Sequence, residues 1–296
     1  MPTSPERCDG ASFQEVVSRA TSSADPSPLL STNLLPPSAY LPLGLGKLAD
    51  VLDPQRLRFY RAGAEVDTPI SRSVDRFGEL QTALDREALA QELARGGTLV
   101  MIEIQSMIPA ELDRLRIVLQ DLTDERAWVN AFNSYGTETG IAPHWDDNHV
   151  FILQCEGQRE WILSEPVVSN PAAGMEQPSG HTGRPMRATL GPGDLLFVPW
   201  GWVHSTVPVG PRSTHLMFAY RPRTGLDYFR WLLPRLASAD ACRAPIADGD
   251  ARGGAETLAL ALREAFERHD IATFLTSRKT QRPDAKLEDL GGMLGD

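Results

Sequence analysis

The chain has 296 residues, 42% hydrophobic and 23% charged, enough to bury a sizeable core, and its formal net charge is −10. That acidity argues against a free-standing nucleic-acid binder, which needs a basic face to neutralise phosphates. Three cysteines without CxxC spacing suggest neither a disulfide framework nor a zinc knuckle, and the polar N-terminus and lack of a long apolar run predict a soluble cytoplasmic protein without a membrane span.

Residues 1–40 carry clustered Ser, Pro, Thr and Asp, with only Phe13 to Val17 suggesting a short helix, so an irregular N-terminal arm is expected. From 41 to 127 the pattern reads as an α/β region flanking the main body. Lys47 to Leu52 suits a short helix stopped at Asp53-Pro54, and Leu57 to Gly63 alternates like a strand. Asp85 to Arg95 is helical and ends at Gly96-Gly97, and Thr98 to Ile104 is an apolar strand. Pro109 opens a helix through about Asp121 with Leu112, Leu115 and Leu119 on one face.

From 128 to 223 the character changes to short strands separated by Gly, Pro, Asn and Ser, the pattern of an all-β barrel or sandwich. All six tryptophans fall between positions 128 and 231 and mark the aromatic core. Residues 167–188, which include His181, form an insertion too long for a hairpin and suit a mobile loop or lid. Beyond 224 a helical region is expected: Leu226 to Leu236, a linker from Asp240 to Gly254, an amphipathic helix from Glu256 to Thr276, and a frayed end.

Two stretches carry chemistry. Pro143-His144-Trp145-Asp146 sets an imidazole and a carboxylate two residues apart, hence on one side of an extended chain. Gly193-Asp194 leads through a second apolar strand to His204. Two histidines and one carboxylate are the donor set of a facial iron site with cis positions left open. His149 has the wrong parity for a ligand, His181 reads as a loop residue and Asp194 as a turn former. If Glu156-Gly157 is a tight turn, Arg159 lies across from Gln154, and the chain must bend between Asp147 and Val150 for Arg159 to reach anything bound at His144 and Asp146.

Val129 to Arg221 resembles the JmjC-type cupin family that includes the ribosomal oxygenases. The resemblance rests on Asn130-Ala131-Phe132, on Pro143-His144-Trp145-Asp146, on Val150-Phe151 through Gln154, Gly157, Arg159 and Trp161, and on Gly193-Asp194 through His204. It implies a double-stranded β-helix core, mainly β with flanking helices, plus C-terminal helices that could pair two copies. It also implies that His144, Asp146 and His204 bind Fe(II), that Arg159 pairs with the distal carboxylate of 2-oxoglutarate, and that Asn130 lies near this co-substrate. Thr214 and His215 on the closing strand are further candidates, and Phe132 stands where the family has Tyr. The activity so implied is a dioxygenase that consumes O2 and hydroxylates a side chain of a protein or peptide. Two alternatives stand beside it. A small-molecule oxygenase would share every one of these residues, whereas a non-catalytic metal-binding cupin would need no basic residue at 159.

Overall fold

The computed structural model describes residues 3–36, 53–74, 76–136, 140–245 and 251–279. Its strands are β1 (Glu6–Arg7), β2 (Leu29–Ser31), β3 (Leu57–Arg61), β4 (Ala64–Val66), β5 (Ile70–Val74), β6 (Leu80–Leu84), β7 (Gly97–Met101) and β8 (Ala127–Tyr135). They continue as β9 (His149–Glu156), β10 (Arg159–Ser164), β11 (Met186–Leu190), β12 (Leu195–Val198), β13 (Val203–Pro208) and β14 (Arg212–Tyr220). The helices are α1 (Phe13–Thr21), α2 (Arg86–Ala94), α3 (Ala110–Thr123), α4 (Gly225–Leu236), α5 (Asp240–Arg243), α6 (Ala251–Arg268) and α7 (Ile271–Lys279). Met1–Arg221 and Pro222–Asp296 form two compact units. No described helix is long and apolar enough to cross a membrane.

In the first unit a nine-stranded sheet, in the order β1-β2-β12-β9-β14-β8-β7-β3-β4, faces a three-stranded sheet, β11-β10-β13. Period-2 alternation explains why the large sheet is buried on both sides. On β9, Phe151 and Leu153 point into one core with α1 and α3, and Val150 and Ile152 point into a second core with Trp161, Leu163 and Trp202 of the small-sheet side. The double-stranded β-helix expected from the family resemblance is therefore the observed architecture, mainly β with flanking helices.

The first forty residues are less irregular than their composition suggests. Ser12 and Glu15 form a capping box that starts α1. Phe13, Val16, Val17 and Ala20, spaced as one helical face, are buried against the large sheet, where the Phe13 ring meets Phe151 edge-on at 5.6 Å. Strand β2 then pairs antiparallel with β12. Apolar spacing and one cap outweighed the surrounding Ser and Pro.

The turn at Glu156-Gly157 also departs from expectation, because β9 and β10 do not pair. Both edges of β9 are taken, by β12 and β14, while β10 pairs with β11 and β13. Gly157, at φ +65°, passes so close to β14 that a Cβ would sit 2.1 Å from Arg212 O, and there the chain swings from one sheet to the other. The expected bend before β9 is present: His144 bridges to His204 on the small-sheet side, and the large-sheet strand begins at His149.

Helices α2 and α3 follow the sequence expectation, with Leu112, Leu115 and Leu119 buried. In the second unit the expected linker contains α5, and the expected long helix divides into α6 and α7. The helix anticipated at Lys47 to Leu52 and the last seventeen residues lie outside the described residues.

Candidate metal centre and its cavity

An isolated bridge builds the core of the site. His144 N donates to His204 O at 3.1 Å and His204 N donates to His144 O at 2.7 Å, which sets the two rings 4.3 Å apart between centroids. Each ring is oriented by a carbonyl two residues away. His144 Nδ1 lies 2.8 Å from Ala142 O and His204 Nδ1 lies 3.0 Å from Trp202 O. With the proton on Nδ1 in each case, both Nε2 lone pairs are free to bind. Asp146 completes the group, with Oδ2 at 3.6 Å from His204 Nε2. One ligand atom from each of His144, Asp146 and His204 lies within 4.8 Å of the others. Burial, followed by the neighbouring His144, lowers the pKa of His204 and favours the neutral imidazole that a metal needs.

The three residues line a cavity of about 330 Å³ between the sheets. Arg159 lies on its wall, only 2% exposed, and Nη1 donates to Ser213 Oγ at 3.0 Å. Burial lowers the guanidinium pKa to about 10, so it stays charged at neutral pH. His215 stacks on Phe132 at 4.7 Å and 9°, and its pKa falls well below the ordinary value through burial and then the charge of Arg159. Four buried polar atoms on this wall, Arg159 Nε, Trp161 Nε1, His215 Nδ1 and Asn148 Nδ2, have no hydrogen-bond partner among the described residues. Several donors left without acceptors around a buried cation suit a polar, anionic occupant.

Asn130 also lines the cavity, while its Oδ1 accepts from Glu103 N at 2.9 Å. Thr214 does not line it. Its hydroxyl donates to Asn133 Oδ1 at 2.7 Å, because alternation along β14 turns His215 and Met217 to the cavity and Thr214 to the opposite face with Leu216 and Phe218. As expected, His149 lies apart from the triad, stacked on Tyr220 at 5.0 Å and accepting from Trp200 N at 3.1 Å. Arg58 and Tyr60 of β3 reach the cavity from a strand to which sequence reasoning gave no chemistry. Burial, then the Glu65 carboxylate, pushes the Tyr60 phenol up to about 12. Only spatial proximity reveals these two, since β3 carries no motif.

A facial two-histidine, one-carboxylate donor set between the two sheets of a double-stranded β-helix defines the class: a cupin of the metal-binding kind. Residues 102–228 match the family model described as JmjC domain. The chain is 32% identical over 151 residues to "Bifunctional lysine-specific demethylase and histidyl-hydroxylase NO66" of Culex quinquefasciatus, a match that covers 48% of this chain and 23% of the relative. It is 36% identical over 109 residues to "Ribosomal oxygenase 2" of Bos taurus, covering 36% and 24% of the two chains. The chain thus spans about a quarter of the length of these curated relatives. Among solved structures, YcfD, a ribosomal oxygenase from Escherichia coli in complex with cobalt and 2-oxoglutarate, superposes with a TM-score of 0.54 at 16% identity over 83% of this chain and 64% of that one. That likeness establishes the fold.

Proposed function

We propose that the chain is an Fe(II)- and 2-oxoglutarate-dependent oxygenase that hydroxylates a side chain of a protein or peptide substrate. The observation that carries this reading is the placement of a His144, Asp146 and His204 donor cluster on the same cavity wall as a buried, charged Arg159. His144, Asp146 and His204 would hold the ferrous ion as a facial triad, and Arg159 would hold the distal carboxylate of 2-oxoglutarate. When bound, iron and 2-oxoglutarate reduce dioxygen, giving succinate and carbon dioxide and placing one oxygen atom in a substrate C–H bond.

The chain's own residues bind, orient and exclude water. Arg159 presents a planar fork, held at one end by Ser213 and with Nε still to be satisfied, which suits a carboxylate. His215, kept neutral by burial, adds no second positive charge beside it. Asn130, although bonded to Glu103, retains donor capacity toward the cavity. Trp128, Val150, Ile152 and Met217 supply apolar wall that limits water at the reacting centre. No acid or base side chain is required. The names of the relatives, a histidyl-hydroxylase and a ribosomal oxygenase, support a protein substrate.

The exposed apolar residues Leu226, Phe229 and Leu233 of α4 support pairing of two copies through the C-terminal unit, and three unpaired cysteines suit the reducing cytoplasm. Anaerobic titration should give one Fe(II) per chain and a visible band that appears on adding 2-oxoglutarate. Aerobic turnover with candidate peptides should give succinate and a peptide heavier by one oxygen atom. A protein that binds no ferrous ion, or binds it without ever consuming 2-oxoglutarate, would rule the proposal out.

A further inference from the structure

Residues 165–185, between β10 and β11, supply none of the three donors, yet they are fastened beside every one of them. Gln177 clamps Trp145, the residue between His144 and Asp146. Trp145 N donates to Gln177 Oε1 at 3.0 Å, and Gln177 Nε2 donates to Trp145 O at 3.3 Å. His181 stands between two hydroxyls, with Nδ1 at 2.7 Å from Ser164 Oγ and Nε2 at 2.7 Å from Ser205 Oγ, next to His204. Pro171 makes the third attachment. Its carbonyl accepts from Trp200 Nε1 at 2.8 Å, and its ring lies 2.8 Å from where a Cβ on Gly201 would be. Gly201 N in turn donates to Asp146 O at 3.1 Å.

Groups that orient ligands from behind govern metal affinity nearly as strongly as the ligands themselves. His144 and Asp146 lie outside regular strand, where a ladder does not hold the backbone between them. The two bonds with Gln177 take the place of that ladder at Trp145, and the Pro171 contacts fix the turn whose Gly201 N–H holds the Asp146 carbonyl. A loop tied at three such points is a poor lid, because opening it would release the ligand segment.

We propose that residues 165–185 are a strap that sets the spacing of the triad before metal arrives, with Gln177 and His181 as positioning residues acting through Trp145 and Ser205. The proposal rests on the metal-site reading above and concerns how the site is held, not what it oxidises.

The test uses Co(II) alone on the apoprotein, followed by visible absorption. Gln177 is exposed, so Gln177→Met removes both bonds without opening a buried hole; His181→Leu removes the second attachment. Each variant should bind Co(II) roughly 10- to 100-fold more weakly than the wild type, with a shifted d–d band, and Gln177→Met should do so at an unchanged apoprotein melting temperature. Wild-type protein that takes up no cobalt defeats the metal reading itself. Wild-type binding with both variants within twofold of it overturns the strap while leaving the metal site standing. Should either variant fold poorly, hydrogen exchange on the wild type decides: Co(II) should slow exchange across residues 171–181, by reciprocity of the coupling, and unchanged exchange there overturns the strap.

Discussion

Arg159 and Ser213 meet across the seam of the barrel, guanidinium Nη1 to hydroxyl at 3.0 Å, although one lies on the small sheet and the other on the large. This contact aims a buried cation into the cavity and leaves Nε available. A charge-assisted bond of this kind contributes about 1.5–3 kcal/mol. Arg159→Ala should therefore weaken 2-oxoglutarate binding by roughly 10- to 100-fold, with Fe(II) binding retained, as calorimetry of both ligands would show. Arg159→Lys should recover part of the loss, since it restores the charge and not the fork.

The triad is tested by His144→Ala, Asp146→Ala and His204→Ala, each expected to abolish stoichiometric Fe(II) uptake. Circular dichroism should remain that of the wild type for Asp146→Ala, whose side chain is 29% exposed. Loss of metal without loss of fold is the pattern a binding role demands, whereas retained one-to-one uptake would remove that residue from the ligand set.

His149 is held neutral by burial, its pKa lowered to about 4. The unfolded chain takes up this proton near pH 6.5 and the native protein only near pH 4, so the stabilisation is fully present above about pH 6.5 and is lost as pH falls through that window. The total is on the order of 3 kcal/mol. Urea midpoints measured from pH 7 to pH 4 should decline, and His149→Gln should flatten the decline; an equally steep fall in the variant would exclude His149 as a source.

Gly157→Ala places a Cβ against Arg212 O in a left-handed residue. Backbone strain alone costs about 1–3 kcal/mol, and the clash adds to it. Because Arg159 follows two residues later, the variant should lose 2-oxoglutarate affinity as well as melting temperature. An unaffected affinity would show that the crossing can shift without moving the guanidinium.

Metal-binding chemistry was legible because His144, Asp146 and His204 sit in local patterns whose side-chain direction follows from extended backbone. Pairing was harder. Glu156-Gly157 has the composition of a hairpin turn, but partners remote in sequence occupy both edges of β9, and no local pattern reports them. Thr214 shares a strand with cavity-lining His215 and Met217 but has the opposite parity, and which face of β14 meets the cavity depends on sheet pairing that the strand's own sequence does not report. Gln177, His181 and Ser213 act through contacts made only after folding, and Ser, Gln and loop His residues carry no periodic signal.

The capped helix near the N-terminus carries a practical consequence. Phe13 covers Phe151 and Phe218, yet it stands far upstream of residue 102, where the family match begins. A fragment cut to the limits of the match would leave that aromatic surface bare and should precipitate, so the stretch recognisable by homology is smaller than the stretch that can stand alone in water.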